Sequence, residues 1–199
     1  DRQTDRSTTA LANTGDFYIG IDSDEASNEW KGFRDDIKVY RFARSAAQIK
    51  ADFVGKGTAK GASAVLGENT QNLPGALSNG LVGYWRMDES DWTNDCTTTS
   101  VTDSSGNGKN GESCPSTTGP DPASGKFGNA GSFDGTEDYI TIASPDLPTG
   151  DFTYAAWIYK DSASAADNIF HGSDGSGGDE LNIRINSTDQ VVVRVNNSV

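Results

Sequence analysis

The sequence predicts an all-β, antiparallel sandwich with one short helix, and three observations predict it. First, short segments alternate apolar and polar residues, as in Leu181-Asn182-Ile183-Arg184-Ile185, and Val191, Val193 and Val195 repeat the pattern. Half-buried antiparallel strands alternate in this way. Second, Gly is abundant at 23 residues and hydrophobic residues make up only 34%, a mix that suits short strands joined by turns and not a helical bundle. Third, only one segment carries a convincing helix-start signal. A chain of 199 residues can bury roughly 70% of its unfolded surface, enough for a core without help.

Taken in order, residues 16–21 (DFYIGI) predict a strand, and an acid-rich loop runs from Asp22 to Glu29. Residues 33–42 predict the next strand, with Phe33, Ile37 and Val39 in period two and the doublet Asp35-Asp36 at its mouth. Ser45-Ala46-Ala47-Gln48 is a capping box, in which the Ser hydroxyl meets the amide of residue 48 and the Gln reaches back. A short helix through about Phe53 follows. Residues 54–80 are Gly- and Ala-rich with no period, and predict a linker; a long loop inside one domain is the alternative. Strands resume at 81–87, and a long turn region spans Asp88 to Lys126. Further strands are predicted at 130–134, 138–143, 151–159, 168–171, 180–186 and 190–196. The tetrapeptide Thr-Gly-Asp-Phe occurs at 14–17 and again at 149–152, which reads as reused turn chemistry.

Charge narrows the partners. The net charge of −13 repels phosphate backbones and anionic lipid, so neither nucleic acid nor a membrane surface is expected as a partner. No apolar run approaches the ~18 residues that a membrane helix needs. With no initial Met and no signal peptide, residue 1 reads as a cut point in a longer precursor. Cys96 and Cys114 lie in one turn-rich stretch. A disulfide is favoured over two free thiols, because exposed loops rarely keep reactive thiols. Asn186-Ser187-Thr188 and Asn196-Asn197-Ser198 are acceptor sequons for a host that glycosylates.

An ordered set of motifs then resembles a known family. GLVGYWRMDES (80–90), DSSGNGKNG (103–111), GKFGNAGSFDGTEDYITI (125–142), GDFTYAAWIY (150–159), FYIGID (17–22) and FRDDIKVYRFARSAAQI (33–49) are similar to segments of the LamG-like, concanavalin A-like jelly rolls of secreted proteins. The resemblance implies a concanavalin A-like jelly-roll β-sandwich. It also implies an unusual order, since the segments that close such a domain here precede those that open it. Residues 1–53 resemble the C-terminal part of one jelly roll and 81–199 the N-terminal part of another, with 54–80 between them. Either the chain is a slice of a tandem array, or the two parts complete a sandwich within one chain or between chains. An incomplete sandwich exposes strand edges that are templates for pairing.

The resemblance further implies a structural Ca2+ held by Asp36, Asp88 and the carbonyl of Gly135, with other carbonyls and water completing six to eight oxygens. The alternative makes Asp36 a surface carboxylate paired with Lys38 or Arg34. Asp103 to Gly108 mimics the start of an EF-hand loop, but Cys114 stands at the twelfth position and no helices flank it, so a turn held by Asp and Asn side chains is expected. Gly106 to Gly111 matches G-x-G-x-x-G without the strand and helix that a dinucleotide site requires. His171, the sole histidine, reads as a turn residue; zinc would need more ligands, and no nucleophile elbow accompanies it. Concanavalin A-like folds include glucanases, but no strand here carries acids at alternate positions; Asp22, Asp24 and Glu25 come nearest and lie in a loop. Trp85 and Trp157 sit in apolar strands and are expected in the core. Trp30 and Trp92 sit in acidic loops and are the expected ligand-binding residues, through stacking on sugar faces, with packing on their own loops as the alternative.

Together these readings predict a non-catalytic, secreted or surface-exposed module that binds glycans or proteins. The alternative is a structural repeat or subunit of an extracellular array or filament, joined to neighbouring copies by strand complementation.

Overall fold

The computed structural model describes residues 15–21, 28–57, 80–143, 151–161, 167–173 and 179–195. Among them the alternating segments form strands: Phe17–Ile19 (β1), Lys31–Tyr40 (β2), Leu81–Trp85 (β3), Thr99–Val101 (β4), Gly111–Cys114 (β5), Asp121–Ser124 (β6), Asn129–Asp134 (β7), Tyr139–Ile142 (β8), Thr153–Lys160 (β9), Asp167–Ser173 (β10), Asp179–Ile185 (β11) and Val191–Val195 (β12). One helix, Ala46–Gly57 (α1), completes the elements. All the strand pairings are antiparallel, as the all-β sandwich prediction requires.

Two sheets form. One has seven strands in the order β12-β11-β10-β1-β8-β5-β4, and the other has five, β3-β2-β7-β6 with β9 also paired to β2. Phe17, Ile19, Ile140, Ile142, Phe170, Leu181 and Ile183 of the first sheet meet Ile37, Val39, Val82, Trp85 and Phe133 of the second in one core. Strands from before and after residues 58–79 share both sheets: β1 pairs with β8 and β10, and β2 pairs with β3, β7 and β9. They therefore belong to one sandwich within one chain.

β2 organises the smaller sheet, and the Asp35-Asp36 doublet explains how. Residues 31–34 pair with β7 and residues 37–40 with β3, while β9 runs along the opposite edge with a break in register between Asp35 and Lys38. Asp36 has φ of 53°, the left-handed conformation of a bulge. The bulge lets one strand change neighbours. Asp35 Oδ2 accepts the amide of Phe127 at 2.9 Å, and Asp36 Oδ1 accepts the Tyr84 hydroxyl at 2.6 Å. Each carboxylate thus holds one of the two segments that meet there.

The helix begins with the predicted capping box: Ser45 Oγ accepts from Gln48 N, and Gln48 Oε1 accepts from Ser45 N at 2.8 Å. It runs four residues beyond the predicted end at Phe53, into what reads as linker; residues 58–79 lie outside the described residues. Tyr154 and Ala156 pack on the core, so Trp157 points to the opposite, outer face of the smaller sheet, contrary to its expected place in the core. There Phe53 stacks on it at 5.3 Å and fastens α1. The predicted turn region from Asp88 to Lys126 contains three short strands, β4, β5 and β6, whose three or four residues are too few to show a period. The loop from Asp22 lies outside the described residues up to Ser27, as do Thr14, Thr149-Gly150 and the second sequon.

Candidate functional site

The expected ligand-binding tryptophans are not on the surface. Trp30 and Trp92 both belong to the core. The Arg34 guanidinium lies 4.7 Å from the Trp30 ring centroid, and the Trp92 ring lies over Gly131, where an added Cβ would sit 2.8 Å from the ring. Rings buried to this degree, 0% exposed for Trp30 and 7% for Trp92, cannot stack on a ligand. The acidic character of the flanking loops misled the reading, because an indole buries 150–250 Å² of largely apolar surface and packs inward when room exists. His171 is likewise not a turn residue but the buried centre of β10.

The three calcium ligands implied by the resemblance do not converge. Asp36 holds the Tyr84 hydroxyl. Asp88 Oδ2 pairs with Arg86 at 2.5 Å, and its Oδ1 accepts from Asn129 N at 3.2 Å. Gly135 lies against Lys31, five residues along β2 from Asp36, or about 16 Å at a strand's rise. Ca2+ binds oxygen at about 2.3–2.6 Å, so these residues do not fit one shared cation. Among the described residues no group of three or more His, Cys, Asp or Glu surrounds a point that could hold a metal ion. Asp103 instead ties a turn, with its carboxylate accepting from the amides of Tyr84, Ser105 and Lys109, while Asn107 Nδ2 donates to the carbonyls of Leu81 and Val82. Cys96 and Cys114 are joined by a disulfide in the same region.

One carboxyl is strongly perturbed without being a site. Burial pushes Asp138 up to about 7, against the hydrogen bond it accepts from the Asp134 amide at 2.7 Å. It closes the β7–β8 turn and is buried.

The outer face of the seven-stranded sheet is organised differently. On β1, β8 and β11 core residues occupy alternate positions, so the residues between them point outward. Following the register from strand to strand, Thr99 faces Glu112, Glu112 faces Thr141, Thr141 faces Tyr18, Tyr18 faces His171, His171 faces Asn182, and Asn182 faces Arg194. This unbroken polar row crosses all seven strands, about 29 Å at ~4.8 Å per strand. Tyr18, Thr141 and Glu112 are half-buried, Thr99 and Arg194 are exposed, and His171 and Asn182 are buried. Asn182 Nδ2 lies 3.3 Å from His171 Nδ1, and the imidazole lies 6.2 Å from the Tyr18 ring. Tyr139, half-buried on the same face, is 5.9 Å from Tyr18. Two phenols, a hydroxyl and a carboxylate thus lie side by side on a rigid sheet. Alternation in 17–19 and 139–142 was visible in the sequence, but the alignment of the row depends on register.

A second feature lies along β9. A groove of about 450 Å3 runs beside this strand, lined by Ile183, Val191 and Val193 towards one sheet and by Ile49, Phe53 and Trp157 towards α1.

The antiparallel two-sheet sandwich with one shared core is consistent with a concanavalin A-like fold. The model of the concanavalin A-like lectin/glucanases superfamily (Laminin_G_3) matches residues 134–199, which take in β8 to β12. No curated protein and no solved structure matches the chain.

Proposed function

We propose that this chain is a non-catalytic binding module, secreted or displayed at the cell surface, that takes a hydroxyl-rich glycan on the outer face of the seven-stranded sheet. The polar row centred on Tyr18 and Thr141 carries the reading. Hydroxyl, carboxylate and phenol groups held in register suit sugar hydroxyls, and the half-exposed Tyr18 and Tyr139 rings offer apolar faces to sugar C–H surfaces. The disulfide supports an oxidising compartment. A net charge of −13 favours neutral or basic ligands over acidic ones. A glycan array, followed by calorimetry on any hit with Tyr18→Ala and Thr141→Ala, tests this. At least a tenfold loss of affinity is expected for Tyr18→Ala; unchanged binding would move the site elsewhere, and turnover of the glycan would overturn the non-enzymatic reading.

A second reading, a structural unit joined to its neighbours by strand complementation, is favoured by one specific observation. Among the described residues β9 pairs only with β2 and β12 only with β11, so both present a free edge.

A further inference from the structure

Glu112 lies on the part of the polar row that solvent reaches. It faces Thr99 on β4 and Thr141 on β8, and its side chain is half-buried. Among the described residues no ion pair joins it to a lysine or arginine, Lys109 three residues before it included. The arginines of the same face, Arg184 and Arg194, stand on β11 and β12, four and five strands away. At ~4.8 Å per strand that is about 19 and 24 Å, beyond the ~8 Å over which charges act in physiological salt. Asp16, exposed and two residues before Tyr18, adds a second carboxylate to this side. Thr141 is the centre of the group. Tyr18 stands one strand to one side of it and Glu112 one strand to the other. Tyr139 lies two residues along β8, about 7 Å away, with its ring 5.9 Å from that of Tyr18. One pyranose ring set over Thr141 lays its C–H face against the phenols and presents a substituent to Glu112.

We infer that the glycan taken by this face is an amino sugar, whose protonated amine seats on the Glu112 carboxylate. This rests on the glycan reading above and names the sugar class. A half-buried carboxylate has given up part of its hydration. An ammonium returns more of it than a neutral hydroxyl does, because its hydrogen bonds to the carboxylate are charge-assisted. The surplus of acids, 29 against 16 Lys and Arg, draws cations to the chain and repels uronic acids and sulfated sugars. N-acetylation weakens the match, because it removes the charge and leaves a single N–H donor where the ammonium has three. A glucosamine unit in β-1,4 linkage has the required parts: a C2 ammonium, hydroxyls for Thr99 and Thr141, and an apolar C–H face for Tyr18 and Tyr139. A lysine side chain offers the ammonium without the hydroxyls and the flat face, which favours the sugar over a basic protein segment.

Calorimetry of the whole chain with β-1,4-linked tetramers of glucosamine, N-acetylglucosamine and glucose, which differ only at C2, tests this at about pH 6, where an amine of the α-amino type, titrating near ~8, is charged. The glucosamine tetramer is expected to bind about tenfold or more tightly than either of the others, the low end of what a hydrogen bond between charged groups contributes. The margin shrinks as sodium chloride is raised. Glu112→Gln removes the margin with an unchanged melting temperature, and Tyr18→Ala weakens binding of all three. Equal affinity for the three tetramers, lost in Tyr18→Ala, overturns this inference and leaves the glycan reading standing. A preference for the glucosamine tetramer that survives Glu112→Gln seats the ammonium elsewhere and overturns it too. So does a lysine tetrapeptide that binds through Glu112 more tightly than the glucosamine tetramer, which would point to a basic protein segment. Failure of all three tetramers to bind overturns this inference alone if the array yields another glycan held through Tyr18, and overturns both readings if it yields none.

Discussion

Removing the Cys96–Cys114 bond separates what the fold holds from what the cross-link adds. The two cysteines are 18 residues apart. In the chain-entropy model, closing such a loop removes roughly 11 cal/mol/K from the unfolded chain, about 3 kcal/mol at 25 °C. The folded loop has its own supports. Cys96 N donates to Ser113 O, Ser113 Oγ donates to Asn94 Oδ1 at 2.5 Å, Asn94 Nδ2 donates to Gly119 O, and Asp95 accepts from the amides of Thr97 and Thr98. The Thr98 hydroxyl, which donates to Asp95 Oδ2 at 2.6 Å, and then those two amides hold the Asp95 carboxyl down to about 2. The native conformation should therefore survive the loss of the bond, with the effect falling on the unfolded state. For Cys96→Ser/Cys114→Ala, thermal unfolding followed by circular dichroism should show a drop of about 6–12 °C, at about 2–4 °C per kcal/mol for a chain of this size, with the near-ultraviolet spectrum kept. A loss below about 1 kcal/mol would refute the unfolded-state argument, and a lost near-ultraviolet signal would show that the bond shapes the native loop.

Further outcomes follow from the buried polar groups. Asp138 holds a proton in the folded state up to about 7, whereas an unfolded aspartate releases it near 3.8. Stability should therefore fall as pH rises between those values and level off above them. Asp138→Asn, which keeps an acceptor for the Asp134 amide, should gain about 1–2 kcal/mol over the parent at pH 8 and little at pH 4, after discounting for screening at the exposed turn; equal gains at both pH values in denaturant titrations would contradict this. Arg34 is fully buried, donates to the carbonyls of Asn168 and Ile169, and lies between the rings of Trp30 and Phe133. Burial pulls its pKa down to about 9. Arg34→Ala should cost about 3–5 kcal/mol by leaving a cavity and two carbonyls without their donor, and Arg34→Met should cost less than half of that because it refills the space; similar losses measured for both by urea unfolding would mean that the carbonyl bonds outweigh the packing. Because Asp36, Asp88 and Gly135 do not converge, excess EDTA should leave the melting temperature within about 1 °C, whereas a shift of several degrees would place a cation elsewhere in the chain.

Alternation was legible because it is local. The pattern in 181–185, the capping box at Ser45 and Gln48, and the turn around Asp103 each depend on neighbours a few residues away, and each has the structure expected of it. The ordered motifs also brought the family into view, although the family model matches only residues 134–199. The helix end and the strands β4 to β6 were less legible, because three or four residues carry too little period to read.

Side-chain periodicity determined which residues of a strand share a face. It could not say which strand lies alongside, because pairing is set by contacts between residues far apart in the chain, such as Asp35 with Phe127 or Tyr18 with His171. Tertiary structure alone decided that Asp36 forms the bulge where β2 changes partners, that Trp30 and Trp92 turn inward, and that seven polar residues from seven strands fall into one row. Among the described residues it also left β9 paired only with β2 and β12 only with β11. Burial and register are properties of the assembled sheets, and no single segment contains them.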